Sequence, residues 1–292
     1  MIRRFSMLLL IVFILLVIIS GIVIFRTKPV ASCCAAHKKT LIIAHRGGGG
    51  LWPENTIYAF RRAVGLGVDI LEMDVYGTKD GELVLMHDST VERVTNGSGP
   101  VQDFTLAELK KLDAGYNWTD DGGQSFPFRG QGIVIPTLEE VFKAFSDVRM
   151  SIEIKQVEPS ITKTLCRLIR DYKKTGQVVV GSFYSAAIEE FRRICPEVAT
   201  SASKPEIQLF CGLLQNGSEL NYMPPAHVFQ IPERKGGVSI AAENFVNTAH
   251  KYNIDVHVYT INDVNSMRRI IEMGVDGIIT DYPDRLKAVL GQ

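Results

Sequence analysis

The sequence predicts an α/β protein built as a (β/α)8 barrel, with one transmembrane helix before the barrel and a small insertion after its third strand. Two observations favour the barrel. Short runs rich in Val and Ile recur after residue 40, and most are followed by a segment with helical periodicity. Polar residues also stand at the carboxyl ends of these runs, where the parallel strands of a barrel present their functional groups.

The predicted strands lie, in chain order, at 41–45, 69–75, 83–87, 150–155, 178–183, 198–202, 227–231, 255–260 and 277–281. Clear helical segments follow at 55–67, 161–176 and 263–274, each ending in a glycine suited to a left-handed helix terminus. A barrel needs eight strands, so one is left over. The run at 83–87 follows its predecessor after only a turn, so we expect the barrel to be irregular there. A doubly wound open sheet would also place polar residues at strand ends, but the repeat count favours the barrel.

The N-terminal segment is predicted to be a membrane anchor. The run from Phe5 to Phe25 carries no charge and is long enough to cross a hydrocarbon core of roughly 30 Å as a helix. A cleaved signal peptide is the alternative, although its apolar stretch is normally about 7–15 residues long. Basic residues flank both ends of the run, so charge leaves the orientation open, and we favour the barrel outside the cytoplasm.

The chain therefore divides into an anchor at 1–26, a linker at 27–39 and a barrel at 40–290, with the insertion at 88–134. The insertion is either a plain surface excursion or a cap over a substrate. With 32 Lys+Arg against 32 Asp+Glu and no block of like charges, the composition argues against nucleic-acid binding. The 5 cysteines show no metal-finger spacing and predict no disulfide framework.

Three carboxylates at strand ends predict a metal site. Glu72 and Asp74 are two apart on one strand, so both side chains point to the same face, where two like charges need a cation between them. Glu153, on another strand end, supplies a third oxygen ligand. Oxygen ligands of this kind suit Mg²⁺ or Ca²⁺, and the lack of a His/Cys cluster argues against zinc.

Cations and imidazoles at neighbouring strand ends complete the pattern. Arg46 and Lys155 offer two fixed positive charges beside the metal, as the developing charge of a phosphodiester requires. His45 and His87 both end strands, and cleavage of a phosphodiester needs one group to accept a proton and another to donate one. We expect these two histidines to be the acid/base pair.

An ordered set of motifs resembles the glycerophosphodiester phosphodiesterase family between about residues 40 and 290. The motifs, in order, are His45-Arg46-Gly47, Pro53-Glu54-Asn55-Thr56, Glu72-Met73-Asp74, Thr78-Lys79-Asp80-Gly81, His87-Asp88, Ile135-Pro136-Thr137-Leu138-Glu139-Glu140, Glu153-Ile154-Lys155, Ser182-Phe183 and the segment 274–283 (GVDGIITDYP). Each motif alone arises by chance, whereas the ordered set is highly specific.

The resemblance implies a metal-dependent hydrolase that cleaves glycerophosphodiesters to glycerol phosphate and an alcohol, on a barrel with a small inserted subdomain. It implies acid/base roles for His45 and His87, with phosphate contacts from Arg46 and Lys155. It also implies that Glu72, Asp74 and Glu153 bind the metal, with Glu54 close to the metal site. Tyr259 stands where the family often has a Trp that lines the pocket, and this departure bears on substrate preference.

Three other functions stay open at this stage. Some members of the family act on lysophospholipids as phospholipase D, and the apolar segment 209–214 could face acyl chains or could be a buried barrel helix. A substrate hydroxyl could instead attack the phosphorus and give a cyclic phosphate. The third alternative is an inactive membrane-tethered binding protein, although no predicted metal carboxylate or histidine is missing.

Overall fold

The computed structural model describes residues 39–217, 225–235 and 238–292. Within these ranges no helix is both long enough and apolar enough to span a bilayer. The predicted anchor at 1–26 lies outside the described residues and stays a prediction.

The strands follow the predicted runs closely. They are β1 (Leu41–Ala44), β2 (Ile70–Gly77), β3 (Leu83–Leu85), β4 (Arg149–Ile154), β5 (Val178–Gly181), β6 (Ala199–Thr200), β7 (Val228–Pro232), β8 (Arg234–Lys235), β9 (Val238–Ser239), β10 (Asp255–Tyr259) and β11 (Gly277–Thr280). The short antiparallel pair β8 and β9 was not predicted from the sequence.

Helices alternate with the strands. They are α1 (Ile57–Leu66), α2 (Leu106–Leu109), α3 (Leu138–Ala144), α4 (Thr162–Asp171), α5 (Ser185–Ile194), α6 (Lys204–Gln215), α7 (Glu243–Lys251), α8 (Val264–Glu272) and α9 (Pro283–Val289). Side-chain caps fix several starts: Thr56 accepts from the Ala59 N–H at 3.1 Å, and Thr137 forms a capping box with Glu140. The helices predicted at 55–67, 161–176 and 263–274 are confirmed, with bounds a few residues shorter.

Eight parallel strands form a nearly closed barrel in the order β6-β5-β4-β2-β1-β11-β10-β7. The gap between the two end strands is bridged where Ser201 pairs in parallel with Val228, and the Ala202 N–H donates to the Val228 carbonyl at 2.9 Å. Because all eight strands run in one direction, their carboxyl ends meet at one mouth of the barrel. This confirms the predicted fold class for the described residues.

The leftover strand is β3. It pairs antiparallel with β2, Val75 lying opposite Leu85, so it returns from the mouth towards the barrel body instead of joining the ring. After it, the chain enters the inserted region, which contains the short helix α2. The insertion has its own small apolar cluster, which includes Val91, Val101 and Leu109.

Apolar side chains fill the space between the strands and the helices. One cluster contains Phe60, Phe142 and Phe191, and a second contains Phe210 and Phe229. The alternation along β1 divides its residues between clusters, since Ile42 packs with the second cluster and Ile43 with Ile70 and Ile279.

One disulfide lies on the outer helical layer. Cys166 of α4 and Cys195, which follows α5, are joined with a Cα–Cα distance of 5.8 Å, and both are buried. The two cysteines are 29 residues apart in the sequence. This pairing was not predicted, because the spacing of cysteines does not determine which of them meet in the fold.

Candidate active site

The first turn of the site follows β1 directly. His45–Gly47 form a short 3₁₀ turn in which Arg46 takes φ 52° and ψ 30°, a left-handed conformation that is costly for a residue with a side chain. In this conformation the Arg46 N–H donates to Glu72 Oε2 at 2.7 Å. Gly47 must be glycine, because its φ is +82° and a Cβ would lie 2.7 Å from the Phe60 ring.

His45 is held from the end of β11. Its Nδ1 lies 2.6 Å from Asp281 Oδ1, and Asp281 is fixed in turn by Asn262, whose Nδ2 donates to Asp281 Oδ2 at 2.7 Å. With Nδ1 engaged by a carboxylate, Nε2 is the nitrogen left to exchange a proton with a substrate.

The three predicted metal ligands come together. Glu72, Asp74 and Glu153 each offer a carboxylate oxygen, and these oxygens all lie within 4.8 Å of one another. The strand register explains the meeting, because Asp74 of β2 lies directly opposite Glu153 of β4. Asn55 fixes Asp74 further: its Nδ2 donates to Asp74 Oδ2 at 2.9 Å, and its Oδ1 accepts from the Asp74 N–H.

The carboxylate cluster is electrostatically strained in the absence of a cation. Burial and the nearby charge of Asp74 raise the pKa of Glu72 to about 7, and burial also raises the pKa of Glu153. The buried Oδ1 of Asp74 accepts no hydrogen bond of good geometry. Three clustered carboxylate oxygens, two of them on buried side chains, fit a hard divalent cation.

Two cations border the cluster as predicted. Lys155 Nζ lies 3.1 Å from Asp74 Oδ1 and 3.0 Å from Glu153 Oε2, and Arg46 Nε lies 3.4 Å from Asp74 Oδ2. Burial lowers the pKa of Lys155, but the charges of Asp74 and Glu153 outweigh that effect and raise its pKa overall. Lys155 and Arg46 therefore stay positively charged at the site.

Glu54 stands apart from the carboxylate cluster. It accepts from Arg46 Nη1 at 3.0 Å and from both terminal nitrogens of Arg93, at 2.6 and 2.8 Å. Burial raises the pKa of Glu54, but the two arginines outweigh burial and hold the pKa below its usual value. Both oxygens of Glu54 thus bind guanidinium groups, and Glu54 is not one of the three clustered carboxylates.

His87 reaches the site from the strand that returns towards the barrel. Its Nδ1 lies 2.6 Å from Asp88 Oδ1, and Arg93 Nε donates to Asp88 Oδ2 at 2.5 Å. Each of the two predicted acid/base residues therefore has a carboxylate on Nδ1 and leaves Nε2 for chemistry. The sequence did not predict the roles of Asp281, Asn55 and Arg93 in holding these groups. Asp281 and Asn55 contact residues that are distant along the chain, and Arg93 lies inside the insertion.

These groups open into one cavity of about 860 Å³. His45, His87, Glu72, Glu153 and the two cations line one end of it. Tyr259 lines it too, its ring centroid 6.1 Å from that of Phe183, which is 54% exposed. Burial and the charge of Glu153 raise the pKa of Tyr259 to about 12, so its hydroxyl stays protonated.

Beyond these groups the cavity is lined by Ile207, Gly212, Pro232 and Ile240, and we call this part its apolar end. The helix α6 also contributes the polar side chains of Lys204, Gln208 and Gln215 to the lining. Phe210, which lies in the apolar segment singled out in the sequence, points away from the cavity and packs in the core against Phe229. Only part of that segment therefore faces the cavity.

The chain matches the profile of the glycerophosphoryl diester phosphodiesterase family over residues 45–285. A glycerophosphodiester phosphodiesterase of Caldanaerobacter subterraneus subsp. tengcongensis is 38% identical over 244 residues, which cover 80% of this chain and 90% of that relative. A lysophospholipase D of Mus musculus is 28% identical over 263 residues, covering 81% of this chain and 82% of that one.

Solved structures agree with the family match. An Oleispira antarctica phosphodiesterase in complex with the product sn-glycerol-3-phosphate superposes with a TM-score of 0.69 at 25% identity, covering 87% of this chain and 98% of that one. A glycerophosphodiester phosphodiesterase from Agrobacterium tumefaciens gives 0.68 at 26% identity, with 85% and 99% coverage. With the family profile matched across the barrel, this chain belongs to the glycerophosphoryl diester phosphodiesterase family and is a phosphoric diester hydrolase.

Proposed function

We propose that this protein hydrolyses glycerophosphodiesters to glycerol 3-phosphate and an alcohol, using a divalent cation and two histidines. The observation that carries the proposal is a cluster of three carboxylates, of which Glu72 and Glu153 line one cavity together with two carboxylate-held histidines. The product bound to the Oleispira antarctica relative supports glycerol 3-phosphate as the product here.

Glu72, Asp74 and Glu153 would hold the cation, which we expect to be Mg²⁺ or Ca²⁺ because all three ligands are carboxylate oxygens. A bound divalent cation would supply charge stabilisation at the phosphoryl oxygens. Arg46 and Lys155 bind the same phosphate group from the protein side and hold it in one orientation. Both are buried enough that water screens their charge weakly.

The two histidines differ in their electrostatic surroundings. Burial alone lowers the pKa of His45, but its hydrogen bond to Asp281 and the charge of Glu72 outweigh burial and raise the pKa overall. Burial and the charges of Lys155 and Arg46 lower the pKa of His87, and together they outweigh the charge of Asp74, which raises it. His45 is therefore the better proton donor, and His87 the better acceptor.

We assign the general base to His87 and the general acid to His45. His87 takes the proton of the attacking hydroxyl as the new O–P bond forms, and His45 gives its proton to the leaving alcohol oxygen as the old P–O bond breaks. The attacking hydroxyl is either water or the 2-hydroxyl of the glycerol moiety, and the latter would give a cyclic phosphate first.

Product analysis with the full-length chain in detergent tests this function. Glycerophosphocholine is incubated with Mg²⁺, with Ca²⁺ or with a chelator, and the phosphorus-containing products are identified. Glycerol 3-phosphate formed only with metal is the expected result. A stable cyclic phosphate would show that the enzyme cyclises its substrate instead of hydrolysing it. No turnover under any condition would favour the inactive binding protein.

The apolar end of the cavity supports a second candidate substrate. A volume of about 860 Å³ exceeds what a short glycerophosphodiester fills, and the wall formed by Ile207, Gly212 and Ile240 suits an alkyl chain. The similarity to a lysophospholipase D of Mus musculus agrees with this candidate. Lysophosphatidylcholine, assayed beside glycerophosphocholine, should then release lysophosphatidic acid, and a much higher kcat/KM for glycerophosphocholine would argue against it.

We further propose that the barrel lies outside the cytoplasm, attached through the predicted anchor at 1–26. The disulfide between Cys166 and Cys195 supports this location, because disulfides persist mainly in oxidising compartments. Protease added to intact cells should digest the barrel, and non-reducing mass spectrometry should find the two cysteines linked. A protected barrel with free thiols would place it in the cytoplasm.

A further inference from the structure

Arg93 belongs to the insertion, yet its guanidinium contacts the active site through two carboxylates. Its Nε donates to Asp88 Oδ2 at 2.5 Å. Its Nη1 and Nη2 donate to Glu54 Oε2 and Oε1 at 2.8 and 2.6 Å. All three guanidinium nitrogens are thus used, one on the first carboxylate and two on the second.

Each of these carboxylates also contacts a residue that we place at the phosphodiester. The second contact of Asp88 is His87, whose Nδ1 lies 2.6 Å from Asp88 Oδ1. The second contact of Glu54 is Arg46, whose Nη1 donates to Glu54 Oε1 at 3.0 Å. An unbroken series of charged contacts therefore connects the proton acceptor to the phosphate-binding arginine, with Arg93 at its centre.

We propose that Arg93 is a positioning residue, whose guanidinium bridges Asp88 and Glu54 and so fixes the imidazole of His87 relative to the guanidinium of Arg46. The proposal rests on the function proposed above, since it assumes that these two groups act on one phosphodiester. Arg93 itself touches neither reacting group; it acts through the two carboxylates.

The geometry of the contact requires arginine. A guanidinium is planar and offers several donors in a fixed fork, so it can bind one carboxylate through two nitrogens and another through the third. An ammonium group is a point charge on a flexible stem and cannot hold two separate carboxylates in one arrangement. Without the bridge, Asp88 would lose its second fixed contact and the orientation of His87 would loosen.

The insertion holds the turn that carries Arg93. Asn117 Nδ2 donates to the Glu92 carbonyl at 2.8 Å and to the Thr95 carbonyl at 2.9 Å, on the two sides of Arg93. Trp118 Nε1 donates to the Gly49 carbonyl at 3.0 Å, which ties the same stretch to the loop after β1. The insertion thus buttresses the site, a role distinct from both a surface excursion and a cap.

A surface ion pair of similar length provides the contrast. Arg170 Nε donates to Glu197 Oε1 at 2.6 Å on the outer helices, with side chains 51% and 39% exposed. Arg93 is exposed to a similar degree, 46%, but its partner Glu54 is only 14% exposed and contacts Arg46. Arg170 is similarly exposed but binds a single carboxylate away from the active site, so it is a control for the loss of an exposed ion pair.

The test compares Arg93→Met with Arg170→Met in the full-length, metal-supplemented protein, with kcat and KM measured on glycerophosphocholine. We expect Arg93→Met to lower kcat about 10- to 100-fold, as when the partner of an active-site side chain is removed. KM should change much less, because orientation of the base matters in the transition state. Arg170→Met should keep the kcat of the wild type.

Two further measurements separate positioning from simple loss of charge or of fold. Arg93→Lys keeps the charge and should still lose much of kcat, and guanidinium ion at low, non-denaturing concentration should restore part of the kcat of Arg93→Met but not raise that of Arg170→Met. A kcat near the wild-type value in folded Arg93→Met, or a loss confined to KM, would overturn the proposal. If Arg93→Met does not fold, wild-type kcat in Arg93→Lys would overturn it equally. Wild-type protein without turnover would instead refute the proposed function itself.

Discussion

The two ends of the active-site cavity are built in different ways. At the charged end, the carboxylates, cations and histidines lie on β2 and β4 or just past the ends of β1, β3 and β4, and most of these groups are held by a second protein group. At the apolar end, the wall comes from α6 and from segments around β7 and β9, with Ile207, Gly212 and Ile240 among its residues.

The difference separates the reaction from the choice of substrate. The charged end positions individual atoms: Asp281 holds His45 at 2.6 Å, and Asn55 holds Asp74 at 2.9 Å. The apolar end offers mainly volume and apolar surface, with Lys204, Gln208 and Gln215 of α6 as polar groups beside it. We therefore expect changes at the charged end to affect every substrate, and changes at the apolar end to alter the preference between substrates.

Removing the cation should have the largest effect. We expect a chelator to reduce turnover to background and Glu72→Gln to lose both metal binding and metal-dependent turnover, because the cluster would lack one of its three charged ligands. Calorimetric titration with Mg²⁺ and Ca²⁺ and activity assays measure this. Glu139→Gln, on α3 and paired with Lys143, serves as the control. Full activity after exhaustive chelation would contradict the role of the carboxylates.

Replacing the histidines should have the next largest effect. His45→Ala and His87→Ala should each lower kcat by about 10²- to 10⁴-fold, the usual contribution of general acid/base catalysis. Thermal melting should show a folded protein in both cases. His250→Ala is the control: His250 contacts Asp276, away from the active site, and the variant should stay active. A near-wild-type rate in folded His45→Ala would refute its assignment.

The metal-free protein should become less stable as the pH rises. The pKa of Glu72 is about 7 in the fold against an ordinary value of 4.5, so the folded state binds the proton more tightly than the unfolded state does. The contribution of Glu72 to the free energy of unfolding is therefore largest below pH 4.5. This contribution falls between about pH 4.5 and 7, by ~3 kcal/mol at most.

Thermal melts of metal-free protein between pH 5 and 8 measure this slope. Since other groups titrate in the same range, the informative quantity is the difference between wild type and Glu72→Gln, which cannot ionise at that position. Saturating divalent cation should also reduce the slope, because it binds the ionised form. Identical slopes in the wild type and the variant would show that Glu72 titrates normally.

The apolar end should give the smallest effect and the most selective one. Ile207→Trp fills part of the cavity and should lower kcat/KM for lysophosphatidylcholine about tenfold more than for glycerophosphocholine, or ~1.4 kcal/mol of selectivity. Leu209→Trp, on the same helix but 53% exposed, is the matched control. Equal losses on both substrates would show that alkyl chains do not use this wall.

Strand periodicity made much of the charged end predictable. Glu72 and Asp74 share a face because strand side chains alternate, and Glu153 and Lys155, at the end of β4 and directly after it, follow the same rule. The recurrence of Val- and Ile-rich runs predicted parallel strands that bury both faces, and the number of these runs favoured a barrel over an open sheet. These patterns are local, so a single sequence reports them.

Contacts between distant segments could not be predicted in this way. Asp281 meets His45 across 236 residues, and Cys166 meets Cys195 across two helices. Glu54 was expected near the metal, and only the fold shows that it binds Arg46 and Arg93. Pairings of this kind depend on how helices and loops pack, which no local pattern of residues encodes.

The returning strand β3 has a consequence for how the chain tolerates insertions and deletions. Val75 lies opposite Leu85, and the turn at 78–81 sets this register, so the same turn determines which later residue arrives beside Asp74. A strand displaced by one residue presents its opposite face. Adding or removing one residue in this short turn would move His87 out of the active site and bring a neighbouring residue to its position. Length changes at the solvent-exposed loop around Gly122 and Gly123 would leave His87 in place.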